Sequence, residues 1–192
     1  MKFSAWMVGA MIGGAALLAA APADAFVVVM GNSLAHDCFL AAKSRVNLDE
    51  GLATCNAALT DSALTHHDRA ATFINRGAVK QDKGLYESAM VDFEAGIALE
   101  PTLGDAYVDR GAALIRLQRY DDAIVDINHG MQLGMSYPHI GYYDRAVAEE
   151  LKGQYKESYY DFKKVLEMDP TFTRASDQLK NFTVTTVRTP AS

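Results

Sequence analysis

The stretch NRGAVKQDKGLYESAMVDF (Asn75–Phe93) returns twice in altered form, as DRGAALIRLQRYDDAIVDI (Asp109–Ile127) and DRAVAEELKGQYKESYYDF (Asp144–Phe162). The copies are offset by 34 and 35 residues. Self-similarity at a fixed period marks a chain built from stacked units rather than one irregular core. Within each copy the second half keeps one frame: Tyr86-x-x-Ala89-x-x-Asp92-Phe93, then Tyr120-x-x-Ala123-x-x-Asp126-Ile127, then Tyr155-x-x-Ser158-x-x-Asp161-Phe162. Pro101 and Pro170 end the first and third units; the middle one ends on Gly134-Met135-Ser136, where the extra residue sits.

Each unit reads as two antiparallel helices. Phe73, Gly77 and Lys80 share one face of the first, at i, i+4 and i+7. Lys80 departs from the apolar pattern and is expected to snorkel, its aliphatic stem covered and its charge in water. Gly77 and Ala89 are small where the helices cross, and Tyr86 and Phe93 fill the space to either side. Lys83-Gly84 makes the turn between them. The same logic runs through Tyr107, Gly111, Leu114, Tyr120, Ala123 and Ile127, and again through Tyr142, Ala146, Tyr155 and Phe162.

The pattern resembles the tetratricopeptide repeat (TPR) family of the exported bacterial type, whose unit has 34 residues. With Ala70, Gly104 and His139 at position one, Phe73, Tyr107 and Tyr142 take the aromatic fourth position. Gly77, Gly111 and Ala146 take the eighth, Ala89, Ala123 and Ser158 the twentieth, and Phe93, Ile127 and Phe162 the twenty-fourth. Departures are Gly96, Gly130 and Val165 where Ala is usual, and Arg76, Arg110 and Arg145 where Leu is usual. The resemblance implies an all-α solenoid of helix hairpins, about nine helices in all, covering 26–182. Its parts are a degenerate hairpin over 32–60, repeats over 70–103, 104–138 and 139–172, and a capping helix over 171–182. On the repeat register Cys38 takes the seventh position, Gly51 the twentieth and Cys55 the twenty-fourth. Asn47-Leu48-Asp49-Glu50 fits a capping box. In the last helix Phe172, Ala175, Leu179 and Phe182 face inward. Residues 183–192 lack a core pattern and are expected to be disordered.

Residues 1–25 differ from the rest. Lys2 precedes an apolar stretch from Ala5 to Ala21, and Ala23-Asp24-Ala25 supplies the small-x-small pattern of a signal-peptidase site. The expected cut lies before Phe26; retention as an anchor is the competing reading. The only Trp, Trp6, falls in this leader. Export, to the periplasm or beyond, makes an even pair of cysteines a disulfide candidate, and Cys38 and Cys55 are the only two. Their spacing is not that of a C-x-x-C redox pair.

A formal charge of −6 argues against nucleic acid as a partner, because phosphate binding wants a basic face. No nucleophile elbow, phosphate loop or H-E-x-x-H occurs, so the chain is not expected to be an enzyme or to hold a cofactor. His66 and His67, even with His36, lack further ligands at a zinc spacing; Thr65-His66-His67-Asp68 reads instead as a helix start. Arg76, Arg110 and Arg145 each travel with an Asp sixteen residues on, which favours repeated ion pairs over anion binding.

What the resemblance implies about function is a concave groove for a protein or peptide partner. By position it is lined by Ile74, Asn75, Ala78 and Gln81, by Val108, Asp109, Ala112 and Ile115, and by Tyr143, Asp144, Val147 and Glu150. Asp109, Asp144 and Glu150 make it mildly acidic, and the Lys/Asn/Arg clamp of some chaperone-binding members is absent. A neutral or basic segment with apolar anchors is the expected ligand. An oligomeric structural component of the cell envelope is the alternative.

Overall fold

The computed structural model describes residues 6–10, 33–61 and 63–186. Among these are nine helices: α1 (Ser33–Ser44), α2 (Leu48–Thr60), α3 (His66–Asp82), α4 (Tyr86–Leu99), α5 (Gly104–Arg116), α6 (Tyr120–Leu133), α7 (Pro138–Leu151), α8 (Tyr155–Met168) and α9 (Thr173–Leu179). Strands β1 (Trp6–Ala10) and β2 (Phe182–Thr186) form one antiparallel pair, from Trp6 opposite Thr186 to Ala10 opposite Phe182. None of the described helices is long and apolar enough to cross a membrane.

Each odd-numbered helix from α1 to α7 packs against the even helix that follows it. The odd helices also touch one another in the order α1, α3, α5, α7, whereas the even helices come less close to one another. The odd helices therefore form the inner layer of a curved stack, and the even helices the outer. This is the expected TPR-like solenoid.

The repeated residues occupy the seams. Phe93, Ile127 and Phe162 are fully buried. A Cβ on Gly77 would lie 2.6 Å from the Phe93 ring, and one on Gly111 2.6 Å from the Ile127 side chain, so only glycine lets these helix pairs close. The turns within the three repeats all need a left-handed residue, at Gly84 (φ 76°), Gln118 (φ 59°) and Gly153 (φ 79°). Within the second repeat, a Cβ on Gly104 at the start of α5 would overlap the Gly134 carbonyl oxygen at the end of α6.

The first hairpin is closed covalently. Cys38 and Cys55 form a disulfide, with Cα atoms 4.7 Å apart. The bridge spans 17 positions, from the seventh place to the twenty-fourth, one more than the Gly77–Phe93 and Gly111–Ile127 contacts of the later repeats. The capping box does not form: Asn47 is left-handed (φ 52°) and makes no side-chain cap, its amide donating to Glu50 at 3.4 Å. Thr65 does cap α3, its Oγ1 accepting from the Asp68 amide at 3.0 Å.

At the far end Ala175 is buried, and Phe172, Leu179 and Phe182 pack on the core of the last two repeats. Residues 183–186, expected as disordered tail, are extended within β2 instead. The Phe-Thr-Val-Thr-Thr run carries strand propensity that a search for helical periodicity passes over. Trp6–Ala10 lies inside the expected leader; the cleavage site at Ala25 and residues 187–192 lie outside the described residues.

Candidate functional site

Two surfaces compete for a function: the arginine seams and the inner face. The arginines are committed internally. Arg76 donates from Nε and Nη2 to Asp92 at 2.8 and 2.6 Å, Arg110 likewise to Asp126 at 2.6 and 2.8 Å, and Arg145 to Asp161 at 2.6 and 2.9 Å. Each guanidinium also lies over the aromatic ring three residues earlier, 5.4 Å from Phe73, 5.5 Å from Tyr107 and 5.2 Å from Tyr142. Arg76 and Arg145 reach back one repeat, to Asn56 Oδ1 at 2.8 Å and Asn128 Oδ1 at 2.5 Å. These residues tie inner helix, outer helix and preceding hairpin together. Their fork geometry is satisfied by carboxylate, as expected for structural pairs. A second, more exposed set of ties joins Lys83 to Asp49 and Lys152 to Asp121.

The inner face is built from α3, α5 and α7, and it is smaller than the register implies. Ile74 fits against Gly96 of α4, and Val108 against Gly130 of α6. Tyr143 stacks 5.6 Å from Phe162 and 5.1 Å from Phe172. These three expected groove residues therefore belong to helix seams; the glycines opposite Ile74 and Val108 leave space on the outer-helix side, and Tyr143 sits among aromatic rings. Ile115 and Val147 join the same core. Ala112 meets Ile140 of the next repeat.

What remains is a row of polar side chains at one repeat position: Asn75, Asp109 and Asp144. All three are buried and already engaged in contacts. Ala78 and Gln81, each 8% exposed, lie on α3 beyond Asn75. Gln81 Oε1 and Glu150 Oε2 are buried and have no hydrogen-bond partner among the described residues. Burial pushes the Glu150 carboxyl above its ordinary range. Burial, and then the charge of Asp144, push the Tyr143 phenol up.

Two cations were missed in the sequence. Arg116, with Gln81, Asp82 and Tyr86, lines a cavity of about 100 Å³ at the inner-helix ends. Arg174 of α9 lies 5.8 Å from the Tyr143 ring and 5.0 Å from Phe172. The face is thus mixed in charge rather than plainly acidic. Arg116 stands one repeat step from no other arginine, so the repeat comparison could not flag it; Arg174 enters from the capping helix.

Three of the histidines make side-chain contacts within the fold. His67 Nδ1 lies 2.7 Å from Glu100 Oε2, His129 meets the Tyr107 ring edge-on at 4.5 Å, and His139 meets Phe172 at 5.6 Å. Among the described residues no group of three His, Cys, Asp or Glu could hold a metal ion. At the first hairpin an open hollow of about 820 Å³ is lined by Leu40, Val46 and Thr54 among others, with Leu40 46% and Val46 65% exposed.

No family model matches the chain. A curated relative, the STIP1 homolog of Dictyostelium discoideum, is 28% identical over 126 residues, which is 65% of this chain and 22% of that protein. The chain therefore spans about a fifth of the length of the curated relative it matches. Among solved structures, the first TPR of Spaghetti (RPAP3) bound to the HSP90 peptide SRMEEVD is 25% identical, with a TM-score of 0.55 over 58% of this chain and 87% of that one. The second TPR domain of human RPAP3, in complex with the HSP70 peptide SGPTIEEVD, is also 25% identical, with a TM-score of 0.55 over 60% and 96%. MamA matches more of the chain, with a TM-score of 0.62 over 78% and 82%, at 17% identity. The fold is that of TPR domains.

Proposed function

We propose that the chain is an exported, non-catalytic TPR adaptor of the periplasm or cell envelope. It binds a segment of a partner protein on the inner face of α3, α5 and α7. The observation that carries this reading is the row Asn75, Asp109, Asp144, one polar side chain per repeat at steps of 34 and 35, buried in the inner helices of a preformed curved stack. A ligand that displaces the contacts covering these positions meets a polar group at each repeat. Export is supported by the Ala23-Asp24-Ala25 site and by the disulfide, which persists in oxidising compartments.

The peptides in the RPAP3 complexes end in Glu-Glu-Val-Asp. Here two of the three row positions are carboxylates, which repel such a tail and accept from Lys, Arg or backbone donors. The ligand is therefore a neutral or basic segment with apolar anchors. Because Asp109 and Asp144 are already engaged, the ligand must replace internal contacts, which lowers its apparent affinity.

The test is fluorescence anisotropy of a peptide set against the purified chain, including SRMEEVD and a Lys/Leu-containing peptide of the same length. The second should bind and weaken with salt, and Asp109→Ala/Asp144→Ala should abolish the salt dependence. Equal binding by the double variant, or preference for SRMEEVD, would refute the reading. The open hollow at Leu40 and Val46 favours one alternative, self-association through the end of the stack. Concentration-dependent mass by sedimentation would favour it, and loss of that dependence in Val46→Lys would assign it to this end.

A further inference from the structure

The residue four places after each seam arginine changes charge along the stack: Lys80, then Leu114, then Glu149. In the first repeat Lys80 Nζ joins Arg76 on Asp92, at 2.8 Å, and also donates to the Ser88 carbonyl at 3.2 Å. Two cations there share one carboxylate. In the second repeat Leu114 is buried and apolar, leaving Arg110 and Asp126 matched one to one. In the third, Arg145 faces two carboxylates. Asp161 takes its Nε at 2.6 Å, and Glu149 Oε1 is left at 4.0 Å.

Both carboxylate side chains are only 12% exposed, and Glu149 Oε2 is buried without a hydrogen-bond partner among the described residues. Help from elsewhere is slight. On α8, Glu157 adds a further negative charge. Lys152, at the end of α7, is drawn away to Asp121 of α6, and Asn128 of α6 spends its oxygen on Arg145. The seam between α7 and α8 thus carries one buried negative charge more than it can pair.

We infer that Glu149 makes the α7–α8 seam a proton-operated joint: protonated, it closes α7 on α8 within the third repeat, and ionised, it loosens them. Burial first, and Asp161 second, push the Glu149 carboxyl up to about 7. A carboxyl whose pKa is raised on folding contributes stability that is complete below its unfolded value. That stability is lost as pH rises through the folded value, so the window runs from about 4.5 to about 7. The joint sits within reach of ordinary environmental pH, and α7 also carries Asp144, Tyr143 and Glu150 of the inner face. It stands whether or not that face binds a peptide.

The experiment is hydrogen exchange of the whole chain between pH 5.5 and 8.5, corrected for intrinsic exchange, with the carboxyl carbon of Glu149 followed by NMR in parallel. Protection in α7 and α8, relative to α3 and α4, should fall about thirtyfold across that range if the opened seam returns Glu149 to its ordinary value. Glu149→Gln and Glu149→Leu, the latter copying the second repeat, should flatten the profile. Glu87→Gln, an exposed glutamate on α4, should leave it. A Glu149 carbon titrating near 4.5, or an unchanged fall in Glu149→Gln, overturns the inference. The carbon titration decides the matter even if a variant fails to fold.

Discussion

Replacing Arg110 by Ala removes two hydrogen bonds to Asp126, at 2.6 and 2.8 Å, and uncovers one face of Tyr107. Asp126, 13% exposed in the intact chain, then loses its paired cation. Breaking a fully buried pair by deleting one partner costs about 3–5 kcal/mol. Arg110 retains 21% exposure, so water recovers part of that and about 2–3 kcal/mol is expected. The sister repeats sharpen the test. Arg76→Ala leaves Lys80 on Asp92, so its cost should be lower, about 1–2 kcal/mol. Arg145→Ala strands both Asp161 and Glu149, so above pH 7.5 its cost should be the highest of the three. Urea unfolding followed by far-ultraviolet circular dichroism at pH 8 measures all three, and a double-mutant cycle of Arg110→Ala with Asp126→Ala should give a coupling of about 1–2 kcal/mol. The reverse order among the repeats, or a coupling near zero, would mean that the arginines do not tie the hairpins as described.

Other outcomes follow from the seams and turns. Gln118→Gly should raise stability by about 0.5–1 kcal/mol in the same urea assay, because Gln118 alone among the three turn residues holds a left-handed φ with a side chain. Gly104→Ala should destabilise by about 3 kcal/mol or more, read as a lowered melting temperature, since the Cβ runs into backbone rather than a movable side chain. Cys38→Ala/Cys55→Ala should lose about 3 kcal/mol, the loop-closure value for a separation of 17, measured against oxidised wild type.

The repeat frame was legible because the residues that close each seam are few and cannot be exchanged freely. A glycine faces Phe93, another faces Ile127, and an Arg always finds an Asp sixteen positions on. Periodicity does not reveal which way a β-branched residue points. Ile74 and Val108 follow the groove register but turn toward Gly96 and Gly130, because a missing Cβ on the outer helix opens space there. The charge series Lys80, Leu114, Glu149 was visible as letters, yet its meaning depends on what else reaches each arginine. Asn47 shows the converse failure: the right residues for a capping box stand in line, but a left-handed backbone carries the side chain elsewhere. Arg174 belongs to the last helix, outside the repeats, and only folding brings it over Tyr143.

A linear stack melts from its ends, since an end hairpin has a neighbour on one side only. In this chain the two ends are unequal. The first hairpin is bonded across its own seam by Cys38 and Cys55, whereas the last is covered without a covalent bond, by α9, only seven residues long, and by β2 paired with β1. Unravelling therefore has a direction, from α9 toward α1. A protease, an unfoldase or a stretching force acting on the folded chain meets a yielding terminus at one end and a locked one at the other. Reduction of a single bond would remove that polarity.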